Sequence, residues 1–466
     1  MRSSLALPLL FGFSVAFAST ATMVPLQASI VPSDVALSAQ DRTADRLLVR
    51  IQNRYGFTLT EAVARRAIAE QRSILGRTVR LEFDADDGTT FAPWTLSADR
   101  FVRVEVTPIG MHSTIDPGKI GAEIADGSPL GIRLPEDAAL LSTVRDDDGI
   151  WRAQTDGIAK GGYTYDADLA AQAAHALENG AQTLQVALRT TPGVMRNDSL
   201  EELGELTLLS SGRSDFAGSG EGRKSNVRKG LTKYIHNTMV EPRQEFSINA
   251  ILRNVPIGEW EMALGIFGGG ILRPVAGGGL CQVATTLYRG VLNAGFPVTQ
   301  RSNHSLFVHY YEKYGVGIDS TIFPASAPDL RFINDTDKPL LIQAYIEESE
   351  ATVNIYGSPD GRAVTMTGPY FAENAPEDFR VKGEKLTSRD IAWVRETAYA
   401  DGRTVEDTVL SRYKSIPRSA VQQYVDTLAT VAGNVHTADL LRLHAAGTEK
   451  ESVAAGSTLE MKAHVQ

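Results

Sequence analysis

The sequence predicts an α+β protein in which small modules precede a larger domain. Two observations support this class. Within residues 42–192, apolar residues at helical spacing are followed twice by a stretch that alternates apolar and polar residues, which is typical of a helix and then a strand. Residues 277–295 begin with three glycines and continue with Val283, Leu287 and Val291 on one helical face. The 466 residues are enough for about two or three domains.

Residues 42–126 and 127–192 are interpreted as two similar α+β modules. In the first module, two helices are expected on either side of Tyr55-Gly56. In the second, Asn179-Gly180 is expected to end a helix, because glycine readily adopts the left-handed conformation found there. Neither module contains clustered His or Cys residues or paired carboxylates, so both are interpreted as binding or spacer modules. The expected strands cover residues 79–83, 94–96, 101–106 and 183–188.

Three further segments complete the chain. Residues 193–224 are rich in Gly, Ser, Asp and Glu, a composition that predicts a linker or a mobile loop. Residues 225–420 contain most of the recognisable motifs and are taken as one domain. Residues 421–466 are expected to form a helix over 420–431 and then a loosely ordered tail, because no strong apolar pattern continues there.

Residues 1–28 predict export. A positive start, Met1-Arg2, precedes an apolar stretch over residues 5–18 that ends in a pattern accepted by signal peptidases, with a second small-residue option at Ala28. The stretch is shorter than the about 20 residues that a membrane-spanning helix needs. Residues 1–28 are therefore a predicted signal peptide or N-terminal anchor. The protein is expected in the periplasm or cell wall, either free or tethered to the membrane at its N-terminus.

Charge and cysteine content exclude several function classes. The 46 basic and 56 acidic residues give a formal net charge of −10, and such a chain lacks the positive field that nucleic acids require of a partner. The single cysteine, Cys281, cannot form an intramolecular disulfide. The histidines lack the spacing of metal ligands, so no metal and no cofactor are expected.

Cys281 is expected in the first turn of a helix that follows Gly277-Gly278-Gly279. The positive end of the helix dipole and the unpaired N–H groups there favour a thiolate, and the same N–H groups can hold an oxyanion. We therefore interpret Cys281 as an acyl-transfer nucleophile, with Gly278, Gly279 and Gln282 as oxyanion or substrate contacts. The alternative is a small buried side chain that packs beneath the glycine-rich turn.

His304 is the predicted base for Cys281. It lies 23 positions after the cysteine, between Asn303 and Ser305, which are expected to contact substrate. His309 is the alternative; if residues 304–309 form one strand, the two histidines point to opposite faces, and only one can reach the thiol. Asp319 is the carboxylate best placed in the sequence to orient the imidazole.

Several short segments of this chain resemble motifs of the VanW family and occur in the same order as in that family. The resemblance covers about residues 225–360 and preserves Cys281, His304 and Asp319. The chain departs from the family pattern at Leu280, Ala284, Ser302 and Ser320. The matching segments are Val240–Asn249, Gly277–Tyr288, Asn303-His304-Ser305, Asp319-Ser320-Thr321 and Asp329–Thr336, with Ser411–Lys414 similar to a family ending.

The resemblance implies a fold and a function. The fold is a VanW-like domain over 225–420, in which the glycine-rich turn leads into a helix packed on a mainly antiparallel sheet. The preceding modules resemble peptidoglycan-binding domains. The implied function is a cysteine L,D-transpeptidase that acts on peptidoglycan stem peptides through a thioester on Cys281. The alternatives are a hydrolase of the same peptides and a non-catalytic peptidoglycan-binding or vancomycin-resistance accessory protein.

Overall fold

The computed structural model describes residues 44–107, 109–125, 131–198, 201–267, 271–422 and 460–462. The described residues fall into two compact units, and the α+β class is confirmed. The first unit contains the described part of residues 1–77 together with 97–116, and the second contains the rest. The predicted signal peptide or anchor at 1–28 lies outside the described residues. No described helix is both long and apolar enough to cross a membrane.

The elements are numbered in chain order. The α-helices are α1 (Ala44–Tyr55), α2 (Glu61–Ile74), α3 (Pro117–Ala125), α4 (Leu169–Asn179), α5 (Glu221–Arg228), α6 (Ile248–Leu252) and α7 (Leu280–Asn293). The strands are β1 (Thr78–Ala85), β2 (Trp94–Ser97), β3 (Val102–Thr107), β4 (Gly110–Ile115), β5 (Ala138–Arg145), β6 (Trp151–Thr155), β7 (Gly162–Thr164), β8 (Thr183–Thr191), β9 (Met195–Arg196), β10 (Thr207–Asp215), β11 (Thr238–Val240), β12 (Glu245–Ser247), β13 (Met262–Phe267), β14 (Ile271–Ala276), β15 (Val298–Gln300), β16 (Arg331–Ile333), β17 (Leu340–Glu347), β18 (Glu350–Gly357), β19 (Ala363–Tyr370), β20 (Asp390–Ala398), β21 (Thr404–Arg412) and β22 (Glu460–Lys462).

The first unit consists of two helices and a hairpin. Helices α1 and α2 pack together, and α2 packs on β4 of the antiparallel β3–β4 pair. The two helices predicted around Tyr55-Gly56 are confirmed, and Gly56 has a positive φ of 73°. Buried Leu47, Ile51 and Met111 belong to one apolar core, which stabilises this arrangement.

The second unit begins with a four-stranded sheet of order β2-β1-β8-β7, in which β1 and β8 are parallel. Helix α4 ends at Gly180 with φ 72°, as its sequence predicts. The structure differs from the division into modules 42–126 and 127–192, because β1 of the first pairs with β8 of the second. Alternating apolar residues reveal that a strand exists, but they do not reveal a partner that lies far away in the sequence.

A seven-stranded sheet of order β10-β18-β17-β11-β6-β5-β9 forms the centre of the second unit, and only its β5–β9 pair is parallel. Its edge strand β10 lies within residues 193–224, so the prediction of a linker there is wrong. The small residues of β10 reflect close packing. A Cβ on Gly212 would lie 2.1 Å from the Thr286 carbonyl oxygen of α7, which leaves no room for a larger residue.

Helix α7 packs on β10 and β18 of this sheet, so the predicted helix on a mainly antiparallel sheet is confirmed. Every residue from Leu280 to Leu292 is buried except half-buried Cys281. The glycine-rich turn ahead of it needs glycine, because Gly277 and Gly279 have φ values of 80° and 107°. The helix thus holds the cysteine at a fixed place in the core.

Three smaller sheets complete the described part of the second unit. They are the β13–β14 hairpin, the sheet β12-β16-β15 and the sheet β21-β20-β19-β22. Residues 418–422 are helical, and the remainder of the helix predicted over 420–431 lies outside the described residues. The loops that leave these sheets carry the residues that approach Cys281.

Candidate active site

Cys281 is the second residue of α7, at the edge of a groove. Its Sγ lies 3.7 Å from the carbonyl oxygen of Ile322, to which the thiol can donate. The turn before it lies directly against β13, since a Cβ on Gly278 would come within 2.3 Å of the Ala263 carbonyl oxygen. The nucleophile predicted from the sequence is therefore held by rigid backbone on both sides.

His304 is hydrogen-bonded to Asp319 and interacts with Cys281. Its Nδ1 lies 2.5 Å from Oδ2 of Asp319, and its backbone N–H donates to the same oxygen over 2.9 Å. The second ring nitrogen, Nε2, is left for the interaction with the Cys281 thiol. The His304 side chain is buried, and the Tyr311 ring centroid lies 5.5 Å from that of the imidazole. The structure thus brings the three residues predicted as catalytic together in one cluster.

Asp319 is 1% exposed. Its second carboxylate oxygen, Oδ1, accepts hydrogen bonds from groups other than His304. The Tyr413 hydroxyl donates to Oδ1 over 2.6 Å. The Arg301 guanidinium lies 3.3 Å from the same atom and donates to the Asp319 carbonyl oxygen over 2.6 Å. A buried carboxylate is costly unless it is paired and hydrogen-bonded, and these contacts meet that requirement.

The electrostatics favour a thiolate–imidazolium pair. Burial would raise the pKa of Cys281, but the hydrogen bond and charge of His304 outweigh it, and the pKa of the thiol is lowered. Burial would lower the pKa of His304, but its contacts with Asp319 and Cys281 raise that pKa instead. The pKa of Asp319 is lowered against the effect of burial by His304, Arg301 and Tyr413. All three shifts stabilise the charged forms.

His309 lies elsewhere, for a reason other than the one predicted. Residues 304–309 do not form a strand, so the expectation of two opposite strand faces is wrong. His309 instead begins a short 3-10 turn, His309–Tyr311. Its side chain is 68% exposed and pairs with Glu312. The structure therefore places His304, and not His309, beside the thiol.

The two glycines predicted as oxyanion contacts differ in what their amides do. The Gly278 N–H donates to the Val275 carbonyl oxygen over 3.3 Å and is already occupied. Within the part of the chain that the structure describes, the N–H groups of Gly279 and Cys281 have no backbone acceptor. These two amides at the start of α7 are available for an oxyanion.

Of the other three predicted substrate contacts, one has a structural role and two line the groove. Gln282 is fully buried and donates to Ser214 Oγ and to the Asp215 carbonyl oxygen, so it fixes α7 to β10 and does not reach the groove. Asn303 lines the groove, but its Nδ2 donates to the carbonyl oxygens of His304 and Arg412. Ser305 also lines the groove.

The groove beside Cys281 has a volume of about 1100 Å³. Its lining is mainly apolar, and its charged residues are Arg253 and Arg273 together with His304. The cysteine lies where the glycine-rich turn meets the loop that follows Thr321. The lining residues are 252, 253, 255, 257, 260, 262, 265, 266, 273–281, 302–305 and 321–328.

One groove wall, residues 323–328, is fixed by a residue whose role the sequence did not indicate. The Asn249 side-chain N–H groups donate to the carbonyl oxygens of Phe323, Ser326 and Pro328 at 3.0–3.1 Å. Asp329 in turn accepts the Asn249 backbone N–H over 3.0 Å. Two of the motifs that resemble the VanW family therefore hold the shape of the groove.

Arg301 and Tyr413 are further site residues without a predicted role. Tyr413 lies in the segment Ser411–Lys414, which was recognised only as similar to a family ending. Arg301 also donates to the Leu410 carbonyl oxygen and to Ser411 Oγ, which ties the end of β21 to the base. In the described ranges, no group of three or more His, Cys, Asp or Glu side chains could hold a metal ion.

Comparisons with known proteins give a family similarity for the part of the chain that contains Cys281, His304 and Asp319. Residues 222–356 match a family model described as VanW like protein. An uncharacterized protein of Bacillus subtilis (strain 168), YoaR, is 32% identical over 143 residues, which are 31% of this chain and 46% of that protein. The match thus spans just under half the length of this relative. No solved structure matches the chain. Residues 222–356 are therefore similar to the VanW family.

Proposed function

We propose that this VanW-like domain is a cysteine L,D-transpeptidase that acts on peptidoglycan stem peptides. The observation that carries the proposal is the cluster of Cys281, buried His304 and buried Asp319 in one groove, in which Asp319 accepts from His304 and the imidazole lowers the pKa of the thiol. A thiol that only filled space would not need a buried ion pair beside it, since burying charges costs free energy. The choice of bond, between an L-centre and a terminal D-amino acid, follows from what the VanW resemblance implies.

The first half-reaction forms a thioester. The Cys281 thiolate attacks the carbonyl carbon of the L-residue, and the N–H groups of Cys281 and Gly279 stabilise the oxyanion. The bond between this carbon and the nitrogen of the terminal D-residue then breaks. The His304 imidazolium gives its proton to that nitrogen, which leaves as an amine. Asp319 keeps the imidazole oriented through Nδ1 throughout.

The second half-reaction regenerates the enzyme. An amine from a neighbouring stem peptide attacks the thioester carbon, and His304 accepts a proton from it. The carbon–sulfur bond breaks, a new amide forms, and Cys281 leaves as the thiolate. If water replaces the amine, the same steps give a hydrolase, so the acceptor alone distinguishes these two activities. The proposed partner is peptidoglycan, and the proposed location is outside the cytoplasm.

Intact-mass measurement of the enzyme tests the proposal. After incubation with a tetrapeptide-stem muropeptide, we expect an adduct equal to the donor minus its terminal D-amino acid, on Cys281. The Cys281→Ala variant, which should remain folded because the side chain is small and half-buried, should give no adduct. A donor with a terminal L-amino acid is the matched substrate control.

Two results would contradict the proposal. One is a wild-type protein that alkylates readily at Cys281 but never forms the adduct with stem peptides. The other is a Cys281→Ala variant that unfolds many degrees earlier while binding cell wall unchanged. The second result would favour a non-catalytic binding protein in which the cysteine only packs beneath the turn.

A further inference from the structure

We propose that Asn226 is a positioning residue for the oxyanion site. It holds the peptide between Gly278 and Gly279 in the orientation that directs the Gly279 N–H at the reacting carbonyl oxygen. The inference rests on the acyl transfer at Cys281 proposed above, because that chemistry forms an oxyanion there. The acyl step can nevertheless be measured with a simple ester, without any peptidoglycan substrate.

The Asn226 side chain lies in α5, is fully buried, and has each of its polar atoms hydrogen-bonded. Its Nδ2 donates to the carbonyl oxygen of Glu261 over 2.8 Å and to that of Gly278 over 3.0 Å. Its Oδ1 accepts the backbone N–H of Glu261 over 2.8 Å. The two bonds to Glu261 fix the plane of the amide, so the remaining N–H is aimed at the Gly278 carbonyl.

The carbonyl of Gly278 and the N–H of Gly279 belong to one peptide unit. Because that unit is planar and trans, its N–H points opposite to its C=O. The carbonyl points to α5, so the N–H points away from that helix. Gly279 and Cys281 line the groove, and none of the described lining residues belongs to α5. The N–H thus lies on the groove side of the turn.

The backbone of the glycine-rich turn could hold this peptide in two orientations. The Leu280 N–H donates to the Gly277 carbonyl oxygen over 3.1 Å, and Gly279 has φ 107° and ψ −14°, which makes a type II turn. A type I turn closes with the same hydrogen bond and differs by a rotation of the middle peptide through roughly 150–170°. Glycine accepts both signs of φ, so Gly279 does not itself select between the two. The bond from Asn226 to the Gly278 carbonyl selects the type II form.

This orientation decides whether the turn attracts or repels an oxyanion. As the structure stands, the N–H groups of Gly279 and Cys281 both lack a backbone acceptor among the described residues. If the peptide turned over, the Gly278 carbonyl oxygen would take the place of the Gly279 N–H and repel a negative charge. Asn226 also polarises the peptide unit by donating to its carbonyl, which makes the N–H a stronger donor.

The experiment compares two reactions of Cys281 in the full-length protein. With p-nitrophenyl acetate, the thiolate attacks the carbonyl carbon, an oxyanion forms, and nitrophenolate leaves as the carbon–oxygen bond breaks, which yields an acetyl thioester. Iodoacetamide alkylates the same thiolate by displacing iodide, without an oxyanion. The ratio of the two rates at one pH therefore reports on the oxyanion site and cancels any change in the thiolate fraction. Intact mass assigns each adduct, and Cys281→Ala gives the background.

Two variants of Asn226 are tested. Asn226→Ala removes the side-chain amide, and Asn226→Asp keeps its size but removes the pair of N–H donors; the aspartate variant decides if the alanine variant unfolds. Removal of one oxyanion donor slows acyl transfer by about 100- to 1000-fold. A freed peptide still spends part of its time in the productive orientation, so we expect the ratio of acylation to alkylation to fall by about 10- to 100-fold.

Asn334 supplies the matched control. It is also 0% exposed, and its Nδ2 donates to the carbonyl oxygens of Val240, Glu241 and Lys338, none of which lines the groove. Asn334→Ala and Asn334→Asp should lower the melting temperature, as the Asn226 variants do, but should leave the ratio of acylation to alkylation unchanged.

The outcomes separate this inference from the proposed function. A folded Asn226 variant with a wild-type ratio, an equal fall in the Asn334 variants, or a parallel loss of acylation and alkylation would overturn the role of Asn226. Wild-type protein that is alkylated at Cys281 but never acetylated would overturn the oxyanion site itself. A ratio that falls only in the Asn226 variants supports the role, even if stem peptides give no adduct and the transpeptidase fails. An unchanged ratio together with the stem-peptide adduct would overturn the role of Asn226 and leave the transpeptidase standing.

Discussion

Replacing His304 with alanine should raise the pH at which Cys281 becomes reactive. In the wild-type protein, the hydrogen bond and charge of His304 lower the pKa of the thiol against the effect of burial. Without the imidazole, the helix N-terminus is left to oppose the effect of burial on the thiol pKa. The midpoint of alkylation should then lie at or above that of free cysteine, about 8.5.

The size of the change follows from the lost interaction. A hydrogen bond to a charged group contributes about 1.5–3 kcal/mol. Because one pKa unit corresponds to about 1.4 kcal/mol, the midpoint should rise by about one to two units. Below the two midpoints, the thiolate fraction and the alkylation rate should therefore fall by about 10- to 100-fold.

The assay follows the rate of alkylation by a neutral reagent against pH, with a thermal melt to establish that each variant is folded. His304→Gln retains a hydrogen-bonding group without the charge and serves as a second variant if the alanine variant unfolds. His309→Ala is the matched control, because that histidine is exposed and pairs with Glu312. A folded His304 variant with an unchanged midpoint, or an equal shift in His309→Ala, would refute the assignment of His304.

Two further variants test parts of the fold that support the site. Tyr413→Phe removes the 2.6 Å hydrogen bond to Asp319, so we expect a loss of about 1.5–3 kcal/mol in the free energy of unfolding, measured with denaturant. Because the pKa of Asp319 is lowered in the folded state, this carboxylate stabilises the fold at pH values above the ordinary carboxyl pKa, and the stabilisation is lost as the pH falls. Acid unfolding of Tyr413→Phe should therefore begin at a higher pH than that of the wild-type protein. An unchanged acid transition would contradict this expectation. Gly212→Ala places a Cβ 2.1 Å from the Thr286 oxygen, so it should cost about 1–3 kcal/mol or more, whereas the same change at exposed Gly258, where a Cβ would meet nothing within 4 Å, should cost far less. A wild-type melting temperature for Gly212→Ala would favour the linker interpretation of residues 193–224.

The features that the sequence predicted well depend on neighbouring residues. The start of α7 needs glycines with positive φ and an apolar face, and both are visible within residues 277–295. The end of α4 at Gly180 is equally local. His304 was predicted as the base and Asp319 as the carboxylate that orients it, and the structure places His304 beside Cys281 and Asp319 beside His304. The strand argument used to choose between the two histidines was wrong, because the loop after β15 has no alternating faces.

The features that the sequence did not predict depend on contacts between distant residues. Strand β10 was taken for a linker because glycine and serine are common in both flexible and tightly packed segments. Only the close approach of α7 to Gly212 shows that this segment is tightly packed. Tyr413 and Arg301 likewise gain their roles from Asp319, and Tyr413 lies 94 positions away from it. No local pattern reports such a contact.

These distant contacts set the extent of the proposed catalytic unit. The family match ends at residue 356, yet the Asp319 carboxylate accepts a hydrogen bond from Tyr413, just after β21. Arg301 reaches the same strand end through Leu410 and Ser411, and the Lys414 backbone N–H donates to the Ser305 carbonyl oxygen. The loop that carries the base is therefore bonded to β21 at several points. Since the orientation of His304 depends on Asp319, the sheet β21-β20-β19 is part of the site's framework, and a domain cut at residue 356 would leave the buried carboxylate without its phenol partner.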